Sequence, residues 1–275
     1  MPKILHLDEK PALTPSAKAK IAHFENVILP EDAPEEVVLQ EIKDAKYVIS
    51  GAREVGAKHF DAAPNLHAVV LPSAGYDYVD VAAATERGVY VINSPGANSN
   101  AVAEMAVGLM LAISRKIPQS YARVRAGEWV DENVRVKGLG DELTGKTMGL
   151  VGLGNIGSRV AKIASHGFNM EVLCYTRRPS PEREQKAGVK FVPINELMAR
   201  ADFVVICAAL TDSTRGLIGK EQLALMKETA YLINAARGPI VDYDALYTVC
   251  VEKKIAGAAI DVMYVEPPGA NAPLL

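Results

Sequence analysis

The chain has 275 residues, a net charge of −3, 49% hydrophobic and 23% charged residues, so it is long enough for two domains of ordinary globular make-up. That slight negative balance gives no argument for a nucleic-acid partner or an acidic membrane surface, and the longest apolar run, over 105–113, is too short to span a bilayer. Three cysteines, Cys174, Cys207 and Cys250, are far apart and odd in number, which offers no metal spacing and suggests a reducing, cytoplasmic setting.

In chain order, Met1-Pro2-Lys3-Ile4-Leu5 reads as the start of a strand and not as a signal peptide. Short apolar runs over 4–7, 27–29, 47–50, 68–72 and 89–92 predict strands, with helices over 16–24, 34–43 and 79–87 between them. Alternation of this kind predicts a parallel sheet covered by helices on both faces. Pro95-Gly96 breaks the pattern, and a long apolar helix over about 101–114 follows, with Ser99 or Asn100 as its N-cap. A second alternating set starts at Thr147, with strands over 148–151, 171–175, 203–207, 230–234 and 257–260. Its helices fall over 158–165, 195–201, 220–226 and 244–251. The expected class is α/β: a smaller flavodoxin-like α/β domain over 1–97, then a Rossmann-type, doubly wound parallel sheet over 98–275.

The most informative motif opens that second set. Gly152-Leu153-Gly154-Asn155-Ile156-Gly157 lies between an apolar strand, Met148-Gly149-Leu150-Val151, and a helix-like run. The first glycine permits a tight turn, the second lets backbone N–H groups approach a pyrophosphate, and the third lets helix and strand pack closely. The free N–H groups and positive dipole end of the helix then face the anion. A glycine-rich structural turn is the alternative.

Three segments together resemble the D-isomer-specific 2-hydroxyacid dehydrogenases. They are the stretch from Leu143-Thr144-Gly145-Lys146 through the glycine motif; Asn234-Ala235-Ala236-Arg237-Gly238-Pro239-Ile240-Val241-Asp242; and Asp261-Val262-Met263-Tyr264-Val265-Glu266-Pro267. The resemblance implies an NAD(P)-dependent oxidoreductase acting on a small 2-oxoacid or 2-hydroxyacid, with glyoxylate/hydroxypyruvate reductase-like members as the nearest type. Arg237 is implied to bind the substrate carboxylate and polarise the adjacent carbonyl, for which a planar guanidinium fork is suited. Glu266 is implied to pair with a histidine that donates a proton as hydride arrives. Ala235 and Asp261 are implied on the cofactor side, together with Gly152, Gly154, Asn155, Ile156 and Gly157. Ser73, Ala74 and Gly75 match the small-residue turn that receives the substrate carboxylate.

The chain also departs from the family pattern. Its histidines are His6, His23, His59, His67 and His166, and none stands where the family has its acid. In relatives that histidine lies beyond a segment resembling Ala272-Pro273-Leu274-Leu275. The expectation is therefore a C-terminally truncated chain that lacks the last strand and closing helix and is incomplete for catalysis. At the end of the second nucleotide-domain strand, Thr176 holds the position where NAD-preferring members carry an acid, and Arg177 and Arg178 follow. A carboxylate would repel a 2′-phosphate and arginines attract it, so NADP is expected over NAD. Cys207 and Ala209 stand where many relatives have His and Pro, which favours a small 2-oxoacid. The helix over 101–114 and the run from Arg115 to Trp129 imply a homodimer. No metal is expected. Two other readings stay open: a dinucleotide-sensing binding protein on the same scaffold, and a phosphite or formate dehydrogenase-like enzyme.

Overall fold

The computed structural model describes residues 1–9, 13–128 and 139–274, in two compact units, Met1–Asn98 and Ser99–Leu275. Trp129 and Leu275 lie outside the described residues.

In the first unit the strands are β1 (Lys3–His6), β2 (Glu25–Ile28), β3 (Ala45–Ile49), β4 (Ala68–Val70) and β5 (Tyr90–Ile92). They form one parallel sheet in the order β2-β1-β3-β4-β5. This is the flavodoxin-like order. Helices α1 (Pro15–Ile21), α2 (Glu35–Glu41), α3 (Ala57–Ala62) and α4 (Val81–Glu86) connect the strands. Two of them start where a side-chain oxygen takes an orphan N–H: Thr14 accepts from Ala17 at 3.2 Å and Asp80 from Ala83 at 2.9 Å. Leu5, Leu7, Val48, Val69 and Leu71 are fully buried, as expected of strands covered on both faces.

A charged cluster sits in this unit. His59 on α3 is 2% exposed, and its Nε2 lies 2.9 Å from Glu35 Oε1, which also meets Lys58 Nζ at 2.8 Å. The His59 Nδ1 accepts the Gly56 N–H at 3.0 Å, so the neutral ring carries its proton on Nε2. Burial, outweighing the attraction of Glu35, holds the His59 pKa below its ordinary value; the Lys58 hydrogen bond holds that of Glu35 low as well. Both groups bind protons less readily folded than unfolded. Their contribution is therefore fully present above the ordinary histidine pKa and is lost as pH falls through the folded values. The thermal midpoint is expected to drop between about pH 7 and pH 5, and His59→Gln should flatten that drop. An unchanged pH slope in the variant would remove His59 from the explanation.

The second unit begins with α5 (Ser99–Ser114) and α6 (Ile117–Arg125). Helix α5 starts at Ser99, so Ser99 and Asn100 are helical residues and not a preceding cap. Ala103, Ala106 and Met110 bury its inner face in the core of this unit. The sheet comprises β6 (Thr147–Val151), β7 (Glu171–Tyr175), β8 (Lys190–Phe191), β9 (Phe203–Ile206), β10 (Tyr231–Asn234) and β11 (Gly257–Ile260). All six strands are parallel, in the order β11-β10-β9-β6-β7-β8, the dinucleotide-fold order read from the other edge. Strand β8 was not foreseen from the sequence. Helices α7 (Asn155–Lys162), α8 (Pro181–Ala187), α9 (Ile194–Arg200), α10 (Lys220–Ala224) and α11 (Tyr243–Val251) cover both faces. Met148, Leu150, Phe203, Val205 and Ile233 fill one face, and Val204, Ile206, Leu232 and Leu197 the other. No helix among the described residues is long and apolar enough to cross a membrane.

Candidate active site

Because β6, β7, β9, β10 and β11 run parallel, their carboxyl ends share one edge of the sheet, and the strand order reverses between β6 and β9. A ligand is expected in the crevice at such a switch point.

At the end of β6 the chain turns through Gly152 at φ +102°, a conformation that favours glycine. A Cβ there would also come within 2.7 Å of the Ala208 backbone, so the turn lies directly against the segment leaving β9. Its N–H donates to Tyr175 O at 2.9 Å and fastens the turn to the end of β7. Gly154 immediately precedes α7, and a Cβ on it would meet nothing within 4 Å. Gly157 is the opposite case, because a Cβ would collide with the Gly152 carbonyl. Ser158 donates to Gly154 O at 2.9 Å. The N–H groups of Asn155, Ile156 and Gly157, one turn earlier, are those a helix leaves for an anion. The turn thus fits a pyrophosphate: close packing behind it, open space at Gly154.

Strand β7 ends at Tyr175. Thr176 follows half-buried, and Arg177 and Arg178 are exposed. Arg177 Nη1 donates to Ser213 Oγ at 3.2 Å.

Strand β10 ends at Asn234, which is 2% exposed. Its side chain organises the next turn: Oδ1 accepts from Ala236 N at 3.1 Å, and Nδ2 donates to Arg237 O at 3.1 Å. The Arg237 backbone is thereby held from inside the sheet, and its Nη1 donates to Ala236 O at 2.9 Å. Ala235 is buried in the core. The role of Asn234 was not foreseen from the sequence; an asparagine at the end of an apolar strand, three residues before an arginine, was the available signal.

The segment after β11 lies against this turn. Asp261 N donates to Asn234 O at 2.9 Å, and a Cβ on Gly238 would fall 2.6 Å from Tyr264 N, inside the Met263–Tyr264 backbone. Gly238 therefore brings the Arg237 turn and the loop carrying Asp261 and Glu266 into contact. Glu266 is exposed, and its Oε1 accepts from Met263 N at 2.8 Å.

In the first unit Ser73 Oγ donates to Gly75 O at 2.9 Å and lies 2.8 Å from Tyr78 Oη; Asn93 Nδ2 donates to Ala74 O at 2.8 Å. The turn is pinned through its carbonyls and hydroxyl. Among the described residues, no main-chain carbonyl accepts from the N–H of Ala74 or Gly75.

Residues 107–275 match the family model described as D-isomer specific 2-hydroxyacid dehydrogenase, NAD binding domain. The chain belongs to the D-isomer-specific 2-hydroxyacid dehydrogenase family. It is 41% identical to the glyoxylate reductase of Thermococcus gammatolerans over 251 residues, 89% of this chain and 75% of that enzyme. Among solved structures it resembles an acyclic imino acid reductase in complex with NADPH and D-arginine, at 28% identity and TM-score 0.88 over 97% of this chain and 85% of that one. It also resembles the NAD-dependent formate dehydrogenase of Staphylococcus aureus in complex with NAD, at 31% identity and TM-score 0.83 over 99% and 85%. Membership in this dehydrogenase family supports a nicotinamide dinucleotide as cofactor, and the geometry of the glycine turn fits the pyrophosphate of such a group.

Among the described residues of this unit, no histidine lies at the carboxyl edge of the sheet. The only histidine here is His166, exposed in the turn that continues α7, at the end of the helix remote from the glycine loop. Cys207 and Cys174 are not candidates for nucleophiles either, since burial pushes both thiols up to about 12.

Proposed function

We propose that the chain is a cytoplasmic reductase of a small 2-oxoacid, glyoxylate or hydroxypyruvate in class, with NADPH as the preferred donor. The observation that carries this reading is the Arg237 turn, set by Asn234 and packed against the Asp261–Glu266 loop on the same sheet edge as the glycine turn.

When bound, the dinucleotide supplies a hydride to the carbonyl carbon. Arg237 supplies the fork for the substrate carboxylate and carbonyl oxygen, and draws charge toward that oxygen as it develops. In the first unit, taken by itself, the family resemblance gives the N–H groups of Ala74 and Gly75 a carboxylate-binding role, with Ser73 holding their turn. The glycine-turn N–H groups from Asn155 to Gly157 hold the pyrophosphate, with Ala235 and Asp261 serving the cofactor toward the nicotinamide end. Thr176, Arg177 and Arg178 face the ribose and its 2′-phosphate. The carbonyl oxygen must also gain a proton. In this reading Glu266 is the carboxylate that would pair with a proton-donating histidine and raise its pKa.

A homodimer belongs to the same reading. Helix α6 leaves Ile117, Tyr121 and Val124 exposed at 54%, 67% and 48%, spaced along one helical face.

The test is an assay of the 275-residue chain with NADPH and glyoxylate, beside a version extended by the C-terminal segment of a glyoxylate reductase relative. A positioned acid contributes about 10²–10⁴-fold, so the extended form is expected to be faster by that order. Equal rates would sink the assignment of Glu266 as the partner of an acid carried by that added segment. The same assay with formate and NAD addresses the second reading, which the formate dehydrogenase likeness supports.

A further inference from the structure

The turn after β7 is fastened by a residue outside the family motifs. Arg183 lies on α8, and its backbone N–H donates to Ser180 Oγ at 3.3 Å. Its half-buried side chain turns back toward the sheet edge. Nη1 donates to the carbonyl of Arg178, and Nη2 donates to the carbonyl of Leu153, at 2.8 Å for the latter. Leu153 is the middle residue of the glycine turn, and Arg178 is the second of the two arginines after β7. One guanidinium thus joins the turn offered to the pyrophosphate to the turn that carries Arg177 and Arg178.

The pyrophosphate and the 2′-phosphate of NADP are joined through one ribose, which limits their separation, so the two turns must present their donors within that reach. Where the turns move independently, binding must order them and loses affinity by that amount. A planar fork reaches the two carbonyls from two separate nitrogens, whereas an ammonium would have to serve both turns from a single point. The Arg183 charge is also felt at the β7 end, where it opposes the upward push of burial on the Cys174 thiol.

We propose that Arg183 is a specificity-determining positioning residue, which sets Arg177 and Arg178 for the ribose 2′-phosphate by tying their turn to the glycine turn. This rests on the reading of those two arginines as the 2′-phosphate ligands. NADH, which lacks that phosphate, gains little from the bridge.

The experiment titrates NADPH and NADH into the full chain and follows cofactor fluorescence. It compares the parent, Arg183→Gln and Arg183→Lys, and places Arg183→Gln also in a background carrying Thr176→Asp, Arg177→Gln and Arg178→Gln. Thermal midpoints establish that each variant is folded. Arg183→Gln is expected to weaken NADPH about tenfold, or 1.4 kcal/mol, and NADH less than about twofold. Arg183→Lys should behave like Arg183→Gln, because the fork and not the charge makes the bridge. In the swapped background, Arg183→Gln should leave the NADPH-to-NADH ratio unchanged. Equal losses for both cofactors, retention of NADPH affinity in Arg183→Lys, or a full effect in the swapped background would each overturn the proposal. A parent that binds NADH as tightly as NADPH would overturn the underlying reading of Arg177 and Arg178, and the proposal with it. A parent that prefers NADPH, with an Arg183→Gln ratio equal to its own, would overturn the proposal alone.

Discussion

Replacing Arg237 by Gln is expected to lower kcat/KM for glyoxylate about 10³-fold, measured in the form extended with a relative's C-terminal segment. Charge-assisted hydrogen bonds contribute roughly 1.5–3 kcal/mol each, and a fork on carboxylate and carbonyl supplies two, which together are worth about 10²–10⁴ in rate. The loss should fall on kcat as well as KM, because the bond to the carbonyl oxygen strengthens as charge develops there. Arg237→Lys keeps the charge without the fork and should fall between parent and Gln variant. NADPH affinity should stay within about twofold in both, since direct titration removes chemistry from the reading. Retained kcat/KM in Arg237→Gln would remove this residue from the substrate site.

Gly157→Val is expected to abolish measurable dinucleotide affinity, raising Kd by more than about 100-fold for both cofactors. The physical cause is local. A Cβ at this position runs into the Gly152 carbonyl, a backbone atom that cannot swing aside, so the start of α7 must leave the turn. Overpacking of this kind costs about 1–3 kcal/mol of stability, a fall of several degrees in thermal midpoint. Gly154→Ala separates binding from folding. Its Cβ meets nothing within 4 Å, so stability should hold, yet the methyl stands in the space left for phosphate and affinity should still fall. Cofactor titration and thermal scans on the two variants check both halves. A Gly154→Ala chain with parental affinity would mean that the open space at Gly154 is not where the pyrophosphate approaches.

Much of this was legible in the sequence because each signal was local. The strand–glycine–helix unit over 148–165 carries its own turn chemistry, and the glycines stand where the sterics require them. The alternation of short apolar runs gave the parallel sheets, since strands buried on both faces need uniform apolarity. Strand β8 escaped because two residues on a sheet edge show no periodicity. Helix α8 escaped because Pro-Glu-Arg-Glu-Gln-Lys-Ala has no buried face, although the Ser180 cap and Pro181 at its start were there to be read. Helix α3 has a glycine at its N-cap and covers only six residues. The roles of Asn234 and Arg183 depend on partners brought close by folding. Asn234 acts on a turn through its own strand end, and Arg183 bridges to Leu153, 30 residues away. No spacing in the chain announces such a bond.

That this sheet edge holds a nicotinamide dinucleotide through its phosphates, with the arginines reading the 2′-phosphate, is tested most directly by parallel titration of NADPH and NADH. The two chains to compare are the parent and Thr176→Asp/Arg177→Gln/Arg178→Gln. The parent is expected to bind NADPH about tenfold more tightly, near 1.4 kcal/mol, because Arg177 and Arg178 are exposed and water weakens each contact. The triple variant should reverse the order. Failure of the parent to bind either dinucleotide, or an identical ratio in both chains, would contradict it.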